Sequence, residues 1–307
     1  MRGAFPVVNK IFGACALAFF CVGVSKAADV LVYGPSLAPS NEAKGVVNEA
    51  TVAEDEGHDV TVVDEGTWSS MSTGQFASYD AIVIGDAGCD FSDGEDLDAV
   101  NANKGTWSPV VTGNIVMNTF DAFLHIFGGA TEAEATGLAA AGINYAASGP
   151  GTGLYYSNGC RAFDTGDDDK GTPPDFSLEF MSLFGFFGLA RNSPDNIIFI
   201  EPEHPALDGP TEEGLSCWGS STHGQWVDFP DDFEVVADGD EEIECKDDKA
   251  IQASKGSDDT PTLPVIIARD GRPVVGPIIP TLSPIGLGLL GLVLAVFGGM
   301  VARRRLR

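Results

Sequence analysis

Asp121 and His125 are the two residues of this sequence whose types and spacing most directly indicate chemistry. They lie four positions apart, so a helix would place both side chains on one face. An Asp-x-x-x-His pair can hold a metal ion or form an acid–base couple. The alternative is structural, with Asp121 capping the start of a helix and His125 packing against it.

Two further polar residues, Asp86 and His223, have positions that could bring them to the same place. Asp86 follows the apolar run 81–84, and His223 lies in a segment that also contains Trp218 and several hydroxyl residues. Such surroundings suit either a sugar-like ligand or a packed, hydrogen-bonded loop, and the sequence leaves both open. The candidate ligand-binding residues are Asp86, Asp121, His223 and Trp218. The candidate catalytic residues are Asp121, His125 and His223.

The elements that must position these residues alternate between apolar strands and helices. A helix is predicted over 131–147, with Thr131 as its N-cap and Glu134 three residues later. Short apolar runs predict strands at 29–34, 60–63, 81–84, 114–118, 153–157, 197–200 and 263–268. This order predicts an α/β fold with a doubly wound, mostly parallel sheet.

The predicted sheet determines where the candidate residues should meet. In open α/β sheets, ligands bind beyond the carboxyl ends of the strands. Asp86 and Asp121 each follow such a strand, and His125 lies one helical turn beyond Asp121. We therefore predict that Asp86, Asp121, His125 and His223 form one cluster.

Several segments are similar to the class I glutamine-amidotransferase-like, flavodoxin-like fold. The residues that carry the resemblance are YDAIVIGD at 79–86, NIVMNTFDAFLHI at 114–126, His204-Pro205, and LSCWGSSTHG at 215–224. The resemblance implies a Cys nucleophile on the sharp turn after the fourth strand. That turn here reads Asn118-Thr119-Phe120-Asp121 and contains no Cys, so thiolate hydrolysis of glutamine is not expected.

Three other segments of the domain have a distinctive composition. The Phe-rich segment 176–189 predicts a buried helix or a lid, and the acidic runs 164–170 and 238–248 predict solvated loops. The first acidic run does not match an EF-hand loop, but Asp164 and Asp168 are candidates for a looser calcium site. No cofactor is predicted, and a divalent cation remains the open alternative.

The charge of the chain excludes one class of partner. Seven of its 17 basic residues lie near the two termini, and the remaining 10 face 45 acidic residues, a balance of −35. A surface of this sign repels nucleic acid and anionic membranes. The excess of acidic residues has two explanations. It serves solubility, or it binds divalent cations or a cationic matrix.

Four cysteines lie outside the predicted leader sequence: Cys89, Cys160, Cys217 and Cys245. An even number in an exported chain predicts two disulfides rather than free thiols. We expect Cys89 to pair with Cys160, because both follow predicted strands, and Cys217 to pair with Cys245.

Both ends of the chain indicate export. Residues 1–27 contain basic residues, an apolar stretch and Ser25-Lys26-Ala27, which is typical of a signal peptide cleaved by signal peptidase. The linker 271–284 is rich in proline, the run 285–302 is just long enough to cross a bilayer, and 303–307 is basic. The basic end should stay in the cytoplasm.

The tail resembles the IPTL-CTERM sorting signal, a relative of the PEP-CTERM signals. Ile279, Pro280, Thr281 and Leu282 form the motif, and an apolar run and an arginine cluster follow it. Pro284 and Ile285 depart from the family, which more often has an acidic residue and Trp there. The resemblance implies an exosortase-type transpeptidase as partner and sorting from the inner membrane to the cell surface or matrix. An ordinary membrane anchor is the alternative.

The sequence thus predicts an exported, membrane-tethered and sortase-processed bacterial surface protein whose α/β domain, 28–270, binds a ligand without catalysis. The alternative is an exported metal-dependent or acid–base hydrolase that uses the Asp/His cluster at the strand ends. The sequence does not name the ligand.

Overall fold

The first strand of the domain has the sequence DVLVY. Four of its five residues are buried, so the core encloses both faces of the strand. The computed structural model describes residues 27–37, 47–86, 97–126, 130–159, 176–219, 221–240 and 263–271. The predicted signal peptide, the IPTL motif and the apolar run 285–302 lie outside these ranges, except for Ala27. Among the described residues, no helix has both the length and the apolar composition needed to cross a membrane.

Eight strands form the main sheet, in the order β2-β1-β3-β5-β4-β11-β10-β8. The first five strands in this order are parallel, and the last three join them in antiparallel pairs. The strands are β1 (Asp29–Tyr33), β2 (Asp59–Val63), β3 (Ala81–Ile84), β4 (Val111–Asn118), β5 (Thr152–Ser157), β8 (Asn196–Phe199), β10 (Glu234–Asp240) and β11 (Leu263–Arg269).

A second, smaller antiparallel sheet has the order β6-β7-β9. Its strands are β6 (Phe176–Ser177), β7 (Gly188–Arg191) and β9 (Gly224–Asp228). For the Phe-rich segment, the predicted alternative of a buried helix was wrong, and the alternative of a lid stays a prediction. The segment supplies β6, the start of β7 and a short 3-10 helix, Glu179–Met181, between them.

Helices cover both faces of the main sheet, as a doubly wound fold requires. The α-helices are α1 (Glu49–Asp55), α2 (Glu65–Ser70), α3 (Thr73–Phe76), α4 (Asp98–Ala102), α5 (Lys104–Trp107), α6 (Ala122–His125), α7 (Glu132–Ser148) and α8 (Glu212–Leu215). Helices α1 and α7 pack with Val30, Val83 and Tyr155 into one core. Trp68, Trp107 and the opposite sheet face form the other.

The longest helix of the described residues, α7, begins where its sequence predicts. Thr131 accepts a hydrogen bond from the Glu134 amide, and the Glu134 carboxylate accepts one from the Thr131 amide. This capping box satisfies two amides that would otherwise lack partners. In the middle of α7, Gly142 leaves room for the ring of Tyr155, because a Cβ there would come within 2.6 Å of it.

The acidic run that begins at Asp238 is not entirely a solvated loop, so this prediction was wrong for its first residues. Asp238 and Asp240 belong to strand β10 and are buried, and the segment 241–248 lies outside the described residues. Strand β10 lies between β8 and β11 and pairs with both. Pairing with two neighbours encloses the side chains of β10 despite their acidic composition.

Candidate metal site at the carboxyl end of strand β4

The turn that follows β4 is held by side chains of its own strand and of the neighbouring β5. The Asn118 side-chain oxygen accepts a hydrogen bond from the Phe120 amide at 3.1 Å. The Ser157 hydroxyl lies 2.7 Å from the Phe120 carbonyl, to which it can donate. The amide of Asn158 donates to the Asn118 carbonyl at 3.0 Å. These bonds fix where the chain leaves the sheet and enters α6.

This turn is not the strained turn on which a nucleophile would be presented. Among the described residues other than glycine, positive φ occurs at Cys217 alone, with a value of 65°. Residues 118–121 therefore have no positive φ, and Asp121 has φ −108° and ψ 56°. Together with the missing Cys, this backbone gives no support to an amidotransferase-type reaction at the turn.

Asp121 occupies the N-cap position of α6 but does not cap the helix. Its side chain makes no capping hydrogen bond, which argues against the purely structural role considered for it. Its carboxylate instead faces two imidazoles. Oδ1 lies 2.7 Å from Nε2 of His125, and Oδ2 lies 3.0 Å from Nε2 of His223.

The two histidines also meet each other. Their Nε2 atoms are 3.2 Å apart, and their rings stack with centroids separated by 5.3 Å at an interplanar angle of 20°. His125 reaches this position because α6 places it one turn after Asp121. His223 comes from a segment that is distant in the sequence. Its own backbone amide donates a hydrogen bond to the Thr119 carbonyl at 3.2 Å.

Asp121, His125 and His223, here called the Asp/His/His group, could hold a metal ion, since their ligand atoms all lie within 4.8 Å of one another. Tetrahedral zinc with bonds of about 2.0–2.1 Å places neighbouring ligand atoms about 3.3 Å apart. The Nε2 atoms of His125 and His223 are 3.2 Å apart, close to that value. They lie 2.7 and 3.0 Å from the two different carboxylate oxygens of Asp121. Admitting an ion would therefore require the carboxylate to move away from the imidazoles by roughly half an ångström.

The backbone of Trp218 also acts on His125 and favours a protonated imidazole. The indole of Trp218 packs beside the same ring at a centroid distance of 6.1 Å. Trp218 therefore lies next to one of the imidazoles that would hold the metal ion.

The same surroundings alter the basicity of His125. Burial by itself would lower the pKa of this imidazole. The hydrogen bond and charge of Asp121 act in the opposite direction, as do the Trp218 backbone and the charge of Asp195, and the pKa is raised overall. A cation beside Asp121 is therefore favoured, whether it is a proton on His125 or a metal ion.

The group is mostly enclosed but not sealed. The side chain of Asp121 is 1% exposed, and those of His125 and His223 are 10% and 13% exposed. Part of each imidazole therefore reaches the surface. A water molecule or a small ligand group could approach an ion held there.

Asp86 is not part of this group, although we predicted all four residues together. Its carboxylate is not among the ligand atoms that converge. It lies at the carboxyl end of β3, where its amide donates to Oε1 of Glu49 at 3.2 Å. Because β5 lies between β3 and β4 in the sheet, the ends of β3 and β4 are not adjacent.

Glu49, which sequence reasoning missed, is a buried acid beside Asp86 at the carboxyl end of β3. It is 1% exposed, and its Oε2 atom has no hydrogen-bond partner among the described residues. Burial, partly offset by hydrogen bonds from its own amide and that of Asp86, raises the pKa of the carboxyl to about 8, with a further contribution from the Asp86 charge. No local pattern indicates this burial, because an acid in the first turn of a helix is normally exposed.

Trp218 lies beside the group without offering it a free face. The residue is 1% exposed, and its indole packs against Phe120 and His125 at centroid distances of 5.6 and 6.1 Å. Its Nε1 donates to the Gly214 carbonyl at 2.8 Å. The ring is a wall of the group and not a stacking platform for a sugar.

The other predicted sites are mostly outside the described residues. Cys217 is disulfide-bonded, and the predicted pairings remain predictions because Cys89, Cys160 and Cys245 lie outside those ranges. Asp164, Asp168 and the IPTL motif also lie outside them. His204 accepts a hydrogen bond from the Ala206 amide at 3.1 Å at the start of a 3-10 helix, Pro205–Leu207, which is a structural turn role.

Comparisons with known proteins add little to this geometry. No protein-family model matches the chain, and no curated protein matches it in sequence. Among solved structures, the chain is similar to a proposed GMP synthase subunit from Thermoplasma acidophilum, with 10% identity and a TM-score of 0.35. That match covers 69% of this chain and 73% of the other. The strand order itself defines the fold as a mixed α/β domain with a large, mostly parallel sheet.

Proposed function

We propose that this domain binds a divalent transition-metal ion through the carboxylate of Asp121 and the Nε2 atoms of His125 and His223. The observation that carries the proposal is the convergence of one carboxylate and two imidazole nitrogens, with one ligand atom from each residue within 4.8 Å of the others. Two imidazoles and one carboxylate suit zinc and its neighbours better than calcium or magnesium, which prefer oxygen ligands.

The setting of the site in the cell forms part of the proposal. The signal peptide and the IPTL-type tail support an exported, membrane-tethered and sortase-processed surface protein. The disulfide at Cys217 fits an oxidising compartment outside the cytoplasm. The domain would then present a metal-loaded binding site at the cell surface, where its acidic charge attracts cations.

Metal analysis of the purified full-length chain, followed by calorimetric titration with zinc, tests the binding proposal. We expect one zinc per chain in the wild type and a loss of affinity of more than 100-fold in both His125→Ala and His223→Ala. The matched control is His204→Ala. It removes another histidine paired with a carboxylate, Glu234 at 3.3 Å, but one outside the only converging group found among the described residues.

Two results would contradict metal binding. One is a wild type that takes up no zinc, cobalt or nickel after exchange against the free ion. The other is equal loss of affinity in the His204→Ala control, which would show that uptake is nonspecific. Thermal unfolding of each variant checks that a loss of binding does not reflect a loss of the fold.

A metal-dependent hydrolase is the second candidate, and one observation favours it. The group supplies three protein ligands, and the exposed parts of His125 and His223 leave an approach for a water molecule. Zinc held by Asp121, His125 and His223 would supply a Lewis acid for the hydrolysis of an ester, phosphoester or amide. Turnover of these substrate classes by the zinc-loaded chain, abolished in Asp121→Asn, would support hydrolysis; absence of turnover with zinc bound would leave binding alone.

A further inference from the structure

Asp195, on the segment between β7 and β8, makes several hydrogen bonds to the loop that carries His223 to the site. Its Oδ1 accepts hydrogen bonds from the amides of Gly219 and Ser221 at 3.1 and 3.2 Å. The Ser221 hydroxyl lies 3.2 Å from the same oxygen. The Asp195 carbonyl also accepts from the amide of Cys217 at 2.6 Å. One residue thus holds three positions of the segment 217–221.

The other side of this loop reaches the Asp/His/His group. The Trp218 indole packs beside the His125 ring with centroids 6.1 Å apart, and the Trp218 amide donates to the Ser221 hydroxyl at 3.2 Å. Two residues after Ser221, the His223 amide donates to the Thr119 carbonyl. The loop is therefore anchored by Asp195 on one side and by the turn after β4 on the other.

The chemistry of Asp195 suits it to this task. Hydrogen bonds from amides to an ionised carboxylate are about twice as strong as those between neutral groups. The loop lies outside the helices and strands, so without Asp195 the amides of Gly219 and Ser221 would lose their partner. The negative charge of Asp195 also acts on His125, which adds to the attraction of a cation at the group.

We infer that Asp195 is a positioning residue of the site: it holds the loop so that Trp218 packs beside His125 and His223 meets Asp121. Asp195 is not itself one of the converging ligands. The part of this inference that concerns metal affinity rests on the proposed function. The part that concerns the placement of His223 does not.

The test compares Asp195→Ala and Asp195→Asn in the full-length chain. The alanine variant should weaken zinc binding about 10- to 100-fold, the range found for residues that orient metal ligands. It should also change the visible spectrum of the cobalt-substituted protein, which reports ligand geometry. The asparagine variant keeps an acceptor oxygen without the charge, so its loss of affinity should be smaller.

The matched control is Asp64→Ala. Asp64 caps helix α2 by accepting a hydrogen bond from the Thr67 amide at 2.7 Å and is not among the converging ligands. Its loss should lower the unfolding temperature without changing zinc affinity or the cobalt spectrum. Unchanged zinc affinity in Asp195→Ala, with wild-type binding intact, would overturn the inference while leaving the proposed function in place.

Amide hydrogen exchange in the metal-free protein separates the two failures. Asp195→Ala should speed exchange at Gly219, Ser221 and His223 at least tenfold, while the Asp64 control leaves these amides unchanged. If the wild type binds no metal, the proposed function fails, and exchange at the His223 amide alone decides the inference. Loss of its protection supports the positioning role, and unchanged protection overturns it.

Discussion

Asp121 and Glu49 are two carboxylic acids at the same edge of the main sheet, and the protein accommodates them in different ways. Asp121 is 2% exposed and Glu49 1%, so both are withdrawn from water to the same degree. Asp121 faces two imidazoles within 3.0 Å. Glu49 faces the amide and the charge of Asp86, and burial raises its pKa to about 8.

The difference shows that burial alone does not determine what an acid can do. Asp121 faces two imidazoles, whose nitrogens can serve with its carboxylate as metal ligands. Glu49 faces Asp86 instead, and burial, with a smaller contribution from the Asp86 charge, raises its pKa so that it keeps its proton at physiological pH. The end of β4 is therefore suited to ion binding, and the end of β3 is suited to a neutral, proton-holding contact.

The largest effect is expected at Glu49. Its pKa is raised from 4.5 to about 8 in the folded protein, so its contribution to stability is fully present below pH 4.5 and is lost as pH rises through 8. A shift of this size corresponds to about 5 kcal/mol. Denaturant unfolding from pH 4 to 9 should show this decline in the wild type but not in Glu49→Gln.

The control for this experiment lies on the same helix. Glu54 is exposed on α1, so Glu54→Gln should keep the full pH dependence of the wild type. Equal pH dependence in Glu49→Gln and the wild type would show that Glu49 ionises freely, and the contrast with Asp121 would then disappear.

A smaller effect of the same sign is expected at Asp238, on strand β10. Burial raises the pKa of this carboxyl from 3.8 to about 6, and its Oδ1 has no hydrogen-bond partner among the described residues. Stability should fall by up to about 3 kcal/mol as pH rises from 4 to above 6. Asp238→Asn should remove this decline, whereas the exposed Asp231→Asn should not. A stability of the wild type that does not change over this pH range would contradict the prediction.

The smallest effect compares Asp121 directly with the protonated acid Glu49. Zinc at 100 times its dissociation constant should stabilise the folded chain by about 2.7 kcal/mol at neutral pH. Asp121→Asn should lose this stabilisation, and Glu49→Gln should keep it. Calorimetric scans with and without zinc make the measurement. Stabilisation of the Asp121 variant equal to that of the wild type would place the ion elsewhere.

The regular parts of the fold could be predicted because local sequence determines them. Apolar runs indicated strands β1 to β5, and the Thr131–Glu134 pair indicated the start of α7. Strand β10 was missed because its acidic residues imply solvent, and only pairing with two neighbours encloses them. Burial of this kind arises from tertiary contacts that no local pattern records.

The site was predictable only in part, for a related reason. The spacing of Asp121 and His125 is local and indicated a shared helix face. His223 was placed with them because its loop follows the sheet, but nothing local indicated that Asp195 holds that loop across 26 residues. Asp86 was misplaced because the sequence does not record that β5 separates β3 from β4.

The contact between Gly142 and Tyr155 has a consequence for the stiffness of the domain. The ring occupies the space that a side chain on α7 would fill, so the helix cannot rotate or slide along strand β5 without a collision. The contact therefore fixes the register of helix α7 against strand β5. Since β5 also supports the turn that carries Asp121, through Ser157, an ion arriving at that turn would meet ligands already in place and would spend little free energy on reorganisation.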